Sequence, residues 1–373
     1  MPKITASALV KNAMHSHWRR RDVLVGCGIG LLGATPGALW AQSKKAMPIA
    51  DMHTHLGHKT RLESTLDLAE EMKANHVLLA GWAYSTDLAY TERMPDGIHQ
   101  VADPDPIKIA EAMRKAMRRR RQYIRSTGLG TVMTIDDLDR ALAGLPSVVL
   151  AAEGSDFMQG RMSLLDEAFE NGVRHLQLVH YTRNVVGDIQ TAPPQHHGLS
   201  DFGRQLIRKA QAKGMLVDLA HSTEEAVGQA LEVATKPVIW SHGWVDSMPG
   251  AFDDKVGWMR RRLSIDTARE IARTGGVVGV WGLGLKHPTG RWTVGRNDPK
   301  GYAKAILALM DKLGPDHVAL GTDMAGVDES VAVEGYGDVR QVIQTLQGSL
   351  DEESLAKVSY RNYARVLRRS LVA

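Results

Sequence analysis

The 373-residue sequence contains a single cysteine, Cys27. This excludes a disulfide framework and a cysteine-rich zinc module, so any metal must be held by histidine and carboxylate. Charge of one sign is also scarce once the N-terminus is set aside. Lys3, Lys11, Arg19, Arg20 and Arg21 face only Asp22 in the first 41 residues, leaving 41 of the 46 basic and 41 of the 42 acidic residues beyond them. A balanced chain has no general electrostatic reason to bind nucleic acid. Internal repeats and low-complexity tracts are absent, and no apolar run makes a good membrane span. The composition, 43% hydrophobic and 24% charged, excludes disordered and collagen-like chains and suits a soluble protein with a large core.

What is present begins with a leader. Arg19-Arg20-Arg21 precedes the glycine-rich apolar run Val23 to Ala34, followed by Pro36, Gly37 and small residues to Ala41. This is the layout of a signal peptide over residues 1–41, of the twin-arginine type. The expectations are engagement of the twin-arginine export machinery, a periplasmic destination and cleavage after Ala41; an uncleaved N-terminal anchor is the alternative. Leu24-Val25-Gly26-Cys27 has the residue types of a lipid-attachment site. Only three apolar positions separate Asp22 from Cys27, however, and the run continues past it, which argues against lipidation.

From residue 42 to 373 the pattern is that of one domain. Eight short β-rich runs can be counted: Ile49 to His55, His76 to Tyr84, Ser147 to Glu153, His175 to His180, Met215 to His221, Pro237 to His242, Gly276 to Leu283 and His317 to Asp323. They alternate with helical periodicity in Ser64 to Ala74, Leu199 to Ala212, Glu224 to Ala234, Ile265 to Thr274 and Tyr302 to Leu313. Eight strands in this length predict an α/β fold, a (β/α)8 TIM barrel. The basic run Arg118 to Arg121 reads as a solvated helix face. Gly279, Gly282 and Gly284 lack the context of a dinucleotide loop and read as a close backbone approach at the end of the seventh strand.

The polar residues that interrupt these runs fall at strand ends: His53 and His55, Glu153, His180, His221, His242 and Asp323. In a barrel all C-terminal ends open on one face, where active sites sit. A lone histidine at a strand end is most often a hydrogen-bonded loop residue, but seven such groups on six strands point jointly to a metal site. His53 and His55, two apart on a strand, can share one ion. The other histidines, among them His58, His175, His287 and His317, read as surface, loop or strand-start residues.

These residues resemble the renal or membrane dipeptidase family of the metal-dependent amidohydrolases. The family's Asp-x-His-x-Asp opening is approached by Asp51-Met52-His53-Thr54-His55, its bridging glutamate by Glu153-Gly154, and its fourth-strand histidine by His180. Further matches are Gly198 to Gly203, Gly214 to His221, Pro237 to His242, Gly321-Thr322-Asp323 and Asn362 to Leu367. The resemblance implies an amidohydrolase-type barrel with two zinc ions held by His53, Glu153, His221 and His242, Glu153 bridging. It implies that His180 steadies the tetrahedral oxyanion, that Asp323 meets the substrate's amino group and assists proton transfer, and that Arg261 clamps the substrate carboxylate.

One position departs from the family: His55 stands where an aspartate is expected. As a metal ligand, neutral imidazole leaves the ion pair one positive charge less compensated. The expected function is hydrolysis of a small peptide or related amide, with room for a homodimer. Two alternatives stay open: another amidohydrolase reaction, on a cyclic amide, lactone or ester, and a catalytically altered relative that binds or matures a peptidic metabolite in the periplasm.

Overall fold

The computed structural model describes residues 46–57, 66–246, 248, 257–284, 293–326 and 331–372. Residues 1–45, with the expected leader and Cys27, the histidines His58 and His287, and residues 247 and 249–256 lie outside the described residues.

Eight parallel strands form the barrel: β1 (Ile49–Thr54), β2 (Val77–Ser85), β3 (Ser147–Glu153), β4 (Val173–Gln177), β5 (Leu216–Asp218), β6 (Ile239–Trp240), β7 (Val277–Trp281) and β8 (Val318–Gly321). Each pairs with its neighbours in sequence, and β8 pairs with β1, so the sheet closes as the eight apolar runs predict. β1, β3, β4 and β7 are buried along their whole length, as expected of strands covered on both faces. Helices follow the strands and start at side-chain caps: Ser200 before the helix Asp201–Lys213, Thr223 before Glu224–Val233 and Ser264 before Ile265–Arg273. No helix among the described residues is long and apolar enough to cross a membrane.

Two features aim the open end of the barrel. The last helix (Asn362–Ser370) closes the opposite end, where Tyr363 and Leu367 pack with Ala50, Leu79, Val149, Leu216 and Ala319. Two buried aspartates also staple neighbouring strands. Asp51 accepts from His53 N, Thr322 N and Thr322 Oγ1, locking β1 to the end of β8. Asp218 accepts from Ala220 N and Ser241 N, and its other oxygen is 2.9 Å from His175 Nε2, locking β4, β5 and β6. Each aspartate thus fixes the backbone two or three residues before a strand-end histidine. Gly279 and Gly321 are required by close approach, because a Cβ there would stand 1.9 and 1.8 Å from the Ser241 carbonyl oxygen.

Two readings need correction. The basic run is not wholly a solvated face, because Arg120 is buried at 1% exposure on the long helix Pro106–Thr127. Its guanidinium donates to Ala83 O at 2.6 Å and lies over the rings of Trp82 and Tyr84. Burial lowers its pKa to about 9; through these contacts Arg120 fastens its helix to β2, while Arg118 and Arg119 face solvent. His175 is likewise a buried residue inside β4, partnered by Asp218.

Candidate active site

Every side chain singled out at a strand end reaches one buried cluster at the C-terminal mouth of the barrel. Glu153, the last residue of β3, is its centre. Its Oε1 lies 3.2 Å from His53 Nε2, 3.4 Å from His180 Nε2, 3.6 Å from His221 Nε2 and 3.7 Å from His242 Nε2; its Oε2 lies 3.1 Å from His55 Nε2. The histidine pairs are equally close, 3.2 Å for His53 with His55 and 3.0 Å for His221 with His242, Nε2 to Nε2. Asp323 Oδ1 is 3.3 Å from His55 Nε2 and 3.7 Å from His53 Nε2.

These separations suit metal ions. Four donors bound at about 2.0–2.1 Å around a tetrahedral ion stand roughly 3.3–3.4 Å apart, close to the observed range. Among the described residues, two groups offer donor atoms that all lie within 4.8 Å of one another, His53, His55, Glu153 and Asp323 in one and Glu153, His221 and His242 in the other, with Glu153 common to both. Asp323 Oδ1 is buried and faces the two imidazoles, while its Oδ2 accepts from Trp281 Nε1 at 2.9 Å. An all-imidazole and carboxylate donor set fits zinc.

Backbone geometry supports the clustering. His221 and Asp323 have φ of 70° and 53°, a left-handed conformation that costs non-glycine residues on the order of 1 kcal/mol. Both residues turn sharply past a strand end, bringing His221 toward Glu153 and Asp323 toward His53 and His55.

Electrostatics divide the cluster. Burial favours neutral Glu153, but the imidazoles of His180, His55 and His53 outweigh it and hold the carboxyl well below its usual value. Burial opposes charge on His55, yet Glu153 and Asp323 raise it to about 9. Burial, reinforced by Arg261 and His180, holds His221 well below the ordinary histidine value, and burial with His53, His221 and Arg261 does the same to His242. For His180, burial opposes charge, but Asp87 and Glu153 lift it well above.

Arg261 is fully buried beside the cluster, its guanidinium over Trp281 and its Nη1 donating to Gln190 Oε1 at 2.6 Å. Among the described residues, its Nε and Nη2 have no hydrogen-bond partner within bonding geometry. Arg260, next in sequence, instead lines an open cavity of about 450 Å³ bordered by Ile98, Gln100, Tyr181, Arg183 and Thr191.

Sequence reasoning missed Asp87, Tyr181, Gln190 and Trp281. Asp87 was within its reach, since it stands two residues beyond β2, where the strand-end criterion that found the other polar groups applies. Tyr181, Gln190 and Trp281 carry no such signal, because an aromatic or amide residue in a loop or strand is chemically unremarked until its neighbours are known.

A model of membrane dipeptidase (Peptidase family M19) matches residues 40–372. Dipeptidase tcpJ of Claviceps purpurea (strain 20.1) is 27% identical over 283 residues, 73% of this chain; the match spans 61% of that relative's length. Among solved structures, the dipeptidase AC, a metallo peptidase of family M19, superposes with a TM-score of 0.73 at 18% identity, over 88% of this chain and 100% of that one. The metallo peptidase from Rhodobacter sphaeroides, liganded with a phosphinate mimic of the dipeptide L-Ala-D-Ala, does so with a TM-score of 0.70 at 18% identity, over 87% and 100%. The structural likenesses establish the barrel.

Proposed function

The chain belongs to the membrane dipeptidase family, and from that premise we propose that it is an exported, zinc-dependent hydrolase of dipeptides or closely related small amides. The observation that carries the reading is the sharing of Glu153 between two donor groups, with the half-satisfied guanidinium of Arg261 beside them. His53, His55 and Glu153, with Asp323 in reach, would hold one ion, and Glu153, His221 and His242 the other. Bound zinc would supply a water of lowered pKa and Lewis acidity toward the scissile carbonyl.

The chain's own residues do the rest. His180 presents Nε2 on the Glu153 side and donates to the carbonyl oxygen as charge develops there. Arg261 offers its two free donors to the substrate's terminal carboxylate. Asp323 Oδ1, 3.3 Å from His55 Nε2, would accept from the substrate's amino group and pass a proton to the leaving amine. The test is metal analysis of the purified protein together with turnover on a panel of dipeptides. Two equivalents of zinc and cleavage are expected; a zinc-loaded protein inactive on every dipeptide would overturn the reading.

Arg261 also separates this reading from hydrolysis of a lactone or cyclic amide, which needs no carboxylate clamp. His55 motivates the alternative of a non-hydrolytic binding or maturation protein, which would hold a phosphinate dipeptide mimic yet leave dipeptides intact. Export rests on Arg20-Arg21 ahead of a weakly hydrophobic run. Replacing both by lysine should retain the protein in the cytoplasm, and unchanged periplasmic delivery would exclude the twin-arginine route.

A further inference from the structure

Asp87 belongs to no motif, yet its carboxylate is fully buried and hydrogen-bonded wholly to the segment that follows β4. Its Oδ1 is 2.6 Å from His180 Nδ1. Its Oδ2 accepts from Tyr181 N at 2.9 Å and Thr182 N at 3.0 Å. Thr182 Oγ1 lies 3.3 Å from the same oxygen and 2.7 Å from Asp156 Oδ1, which also accepts from Asn184 Nδ2 at 3.1 Å. Asp156 in turn sits in the turn after Glu153, packed so closely that a Cβ on Gly154 would meet Asp156 Oδ2 at 2.3 Å and His180 Cβ at 2.9 Å. A loop tie alone would need only the two backbone donors. The bond to Nδ1 does something more: an imidazole ring has two torsions, and holding Nδ1 on one side fixes where Nε2 points on the other.

We infer that Asp87 is a positioning residue for the reaction, setting the His180 ring so that Nε2 faces Glu153 and the carbonyl under attack, while the backbone N–H groups of Tyr181 and Thr182 hold Asp87 in place. The inference rests on the proposed role of His180 toward substrate. Its effect should appear in turnover rather than in substrate or metal binding, because the ring it steers matters most as charge develops on the carbonyl oxygen.

The experiment is a double-mutant cycle with zinc-loaded protein and a cleaved dipeptide. Asp87→Asn should lower kcat on the order of a hundredfold, with KM changed only a few-fold and zinc content unchanged, as expected for a misplaced catalytic group. In a His180→Asn background the same substitution should cost less than about threefold, since residues that act as a unit are not additive. Equal losses in both backgrounds, or wild-type kcat in folded Asp87→Asn, would overturn the inference. Should the asparagine variant not fold, Asp87→Glu takes its place. A lowered kcat with full zinc content then supports positioning, whereas wild-type kcat shows a purely structural tie. If the wild-type protein cleaves no dipeptide, the proposed function fails separately, and the ring is read by NMR of labelled histidine. A low-field Nδ1 proton that is absent from both His180→Asn and the Asp87 variant supports positioning, and its persistence without Asp87 refutes it.

Discussion

The two donor groups that meet at Glu153 are made of unlike parts. The group of His53, His55, Glu153 and Asp323 carries two carboxylates, and those charges hold a proton on His55 up to about pH 9. The group of Glu153, His221 and His242 carries one, and with Arg261 nearby its two imidazoles are neutral well below ordinary histidine pKa values. The comparison shows that the two groups differ in the state in which they meet an ion. One must surrender a proton from its imidazole, whereas the other presents free lone pairs.

The broadest way to break the comparison is to remove what the groups share. Glu153→Gln keeps the size and removes the charge, so at least one ion should be lost and turnover should fall by a factor on the order of 10³ or more. Metal analysis with steady-state kinetics checks this, and full zinc content with wild-type turnover would refute a bridging role. The next test sharpens the difference. Between pH 7 and 9 the affinity of the His55 group for zinc should rise about tenfold per pH unit, roughly a hundredfold in all, as competition from the His55 proton fades, while the His221 group should stay nearly flat. Zinc titrations across that range, in buffers of different ionisation enthalpy, would show one proton released per ion at the first group only.

The same asymmetry acts on stability once zinc is stripped. His55 is raised in the folded state, so its contribution is present in full below its ordinary value of 6.5 and is lost as pH climbs to about 9. The difference is about 3 kcal/mol, an upper figure for a buried group. His180, also raised, acts in the same direction. Urea unfolding of chelator-treated protein should therefore show falling stability from pH 6.5 to 9, and His55→Asn should flatten the fall. The smallest expected effect is that of His55→Asp. Restoring the family's carboxylate should tighten the ion beside it and raise dipeptide turnover on the order of tenfold, about 1.4 kcal/mol of barrier. Identical zinc stoichiometry and affinity in the two proteins would mean that His55 is not a ligand.

Much of this was legible in the sequence for a simple reason. In strands covered on both faces, polar residues are uncommon except near an end, Asp51 and His175 being exceptions that find buried partners, so His53, Glu153, His221, His242 and Asp323 pointed to the mouth of the barrel. Asp87 did not stand out, because Ser85-Thr86-Asp87 before a short helical turn also reads as an ordinary polar cap. Arg120 was hidden among three other arginines, since a run of one residue type does not reveal which member turns inward. Asp51 and Asp218 could be seen as motif letters, but their work as staples depends on which strands become neighbours, and that is settled only by closure of the sheet.

The staple at Asp51 has a consequence for the order in which the site can be assembled. It joins positions 271 residues apart, across the seam between the first strand and the last. His53 and His55 lie on one side of that seam and Asp323 on the other, so their group is incomplete until nearly the whole chain is available. Glu153, His221 and His242 come from β3, β5 and β6, all on one side of it. A growing chain thus possesses every donor of one group once residue 242 has been made and must wait for residue 323 to complete the other. The second ion position joins the first strand of the barrel to the last, and cutting the chain between His242 and β8 would sever it while leaving Glu153, His221 and His242 on a single fragment.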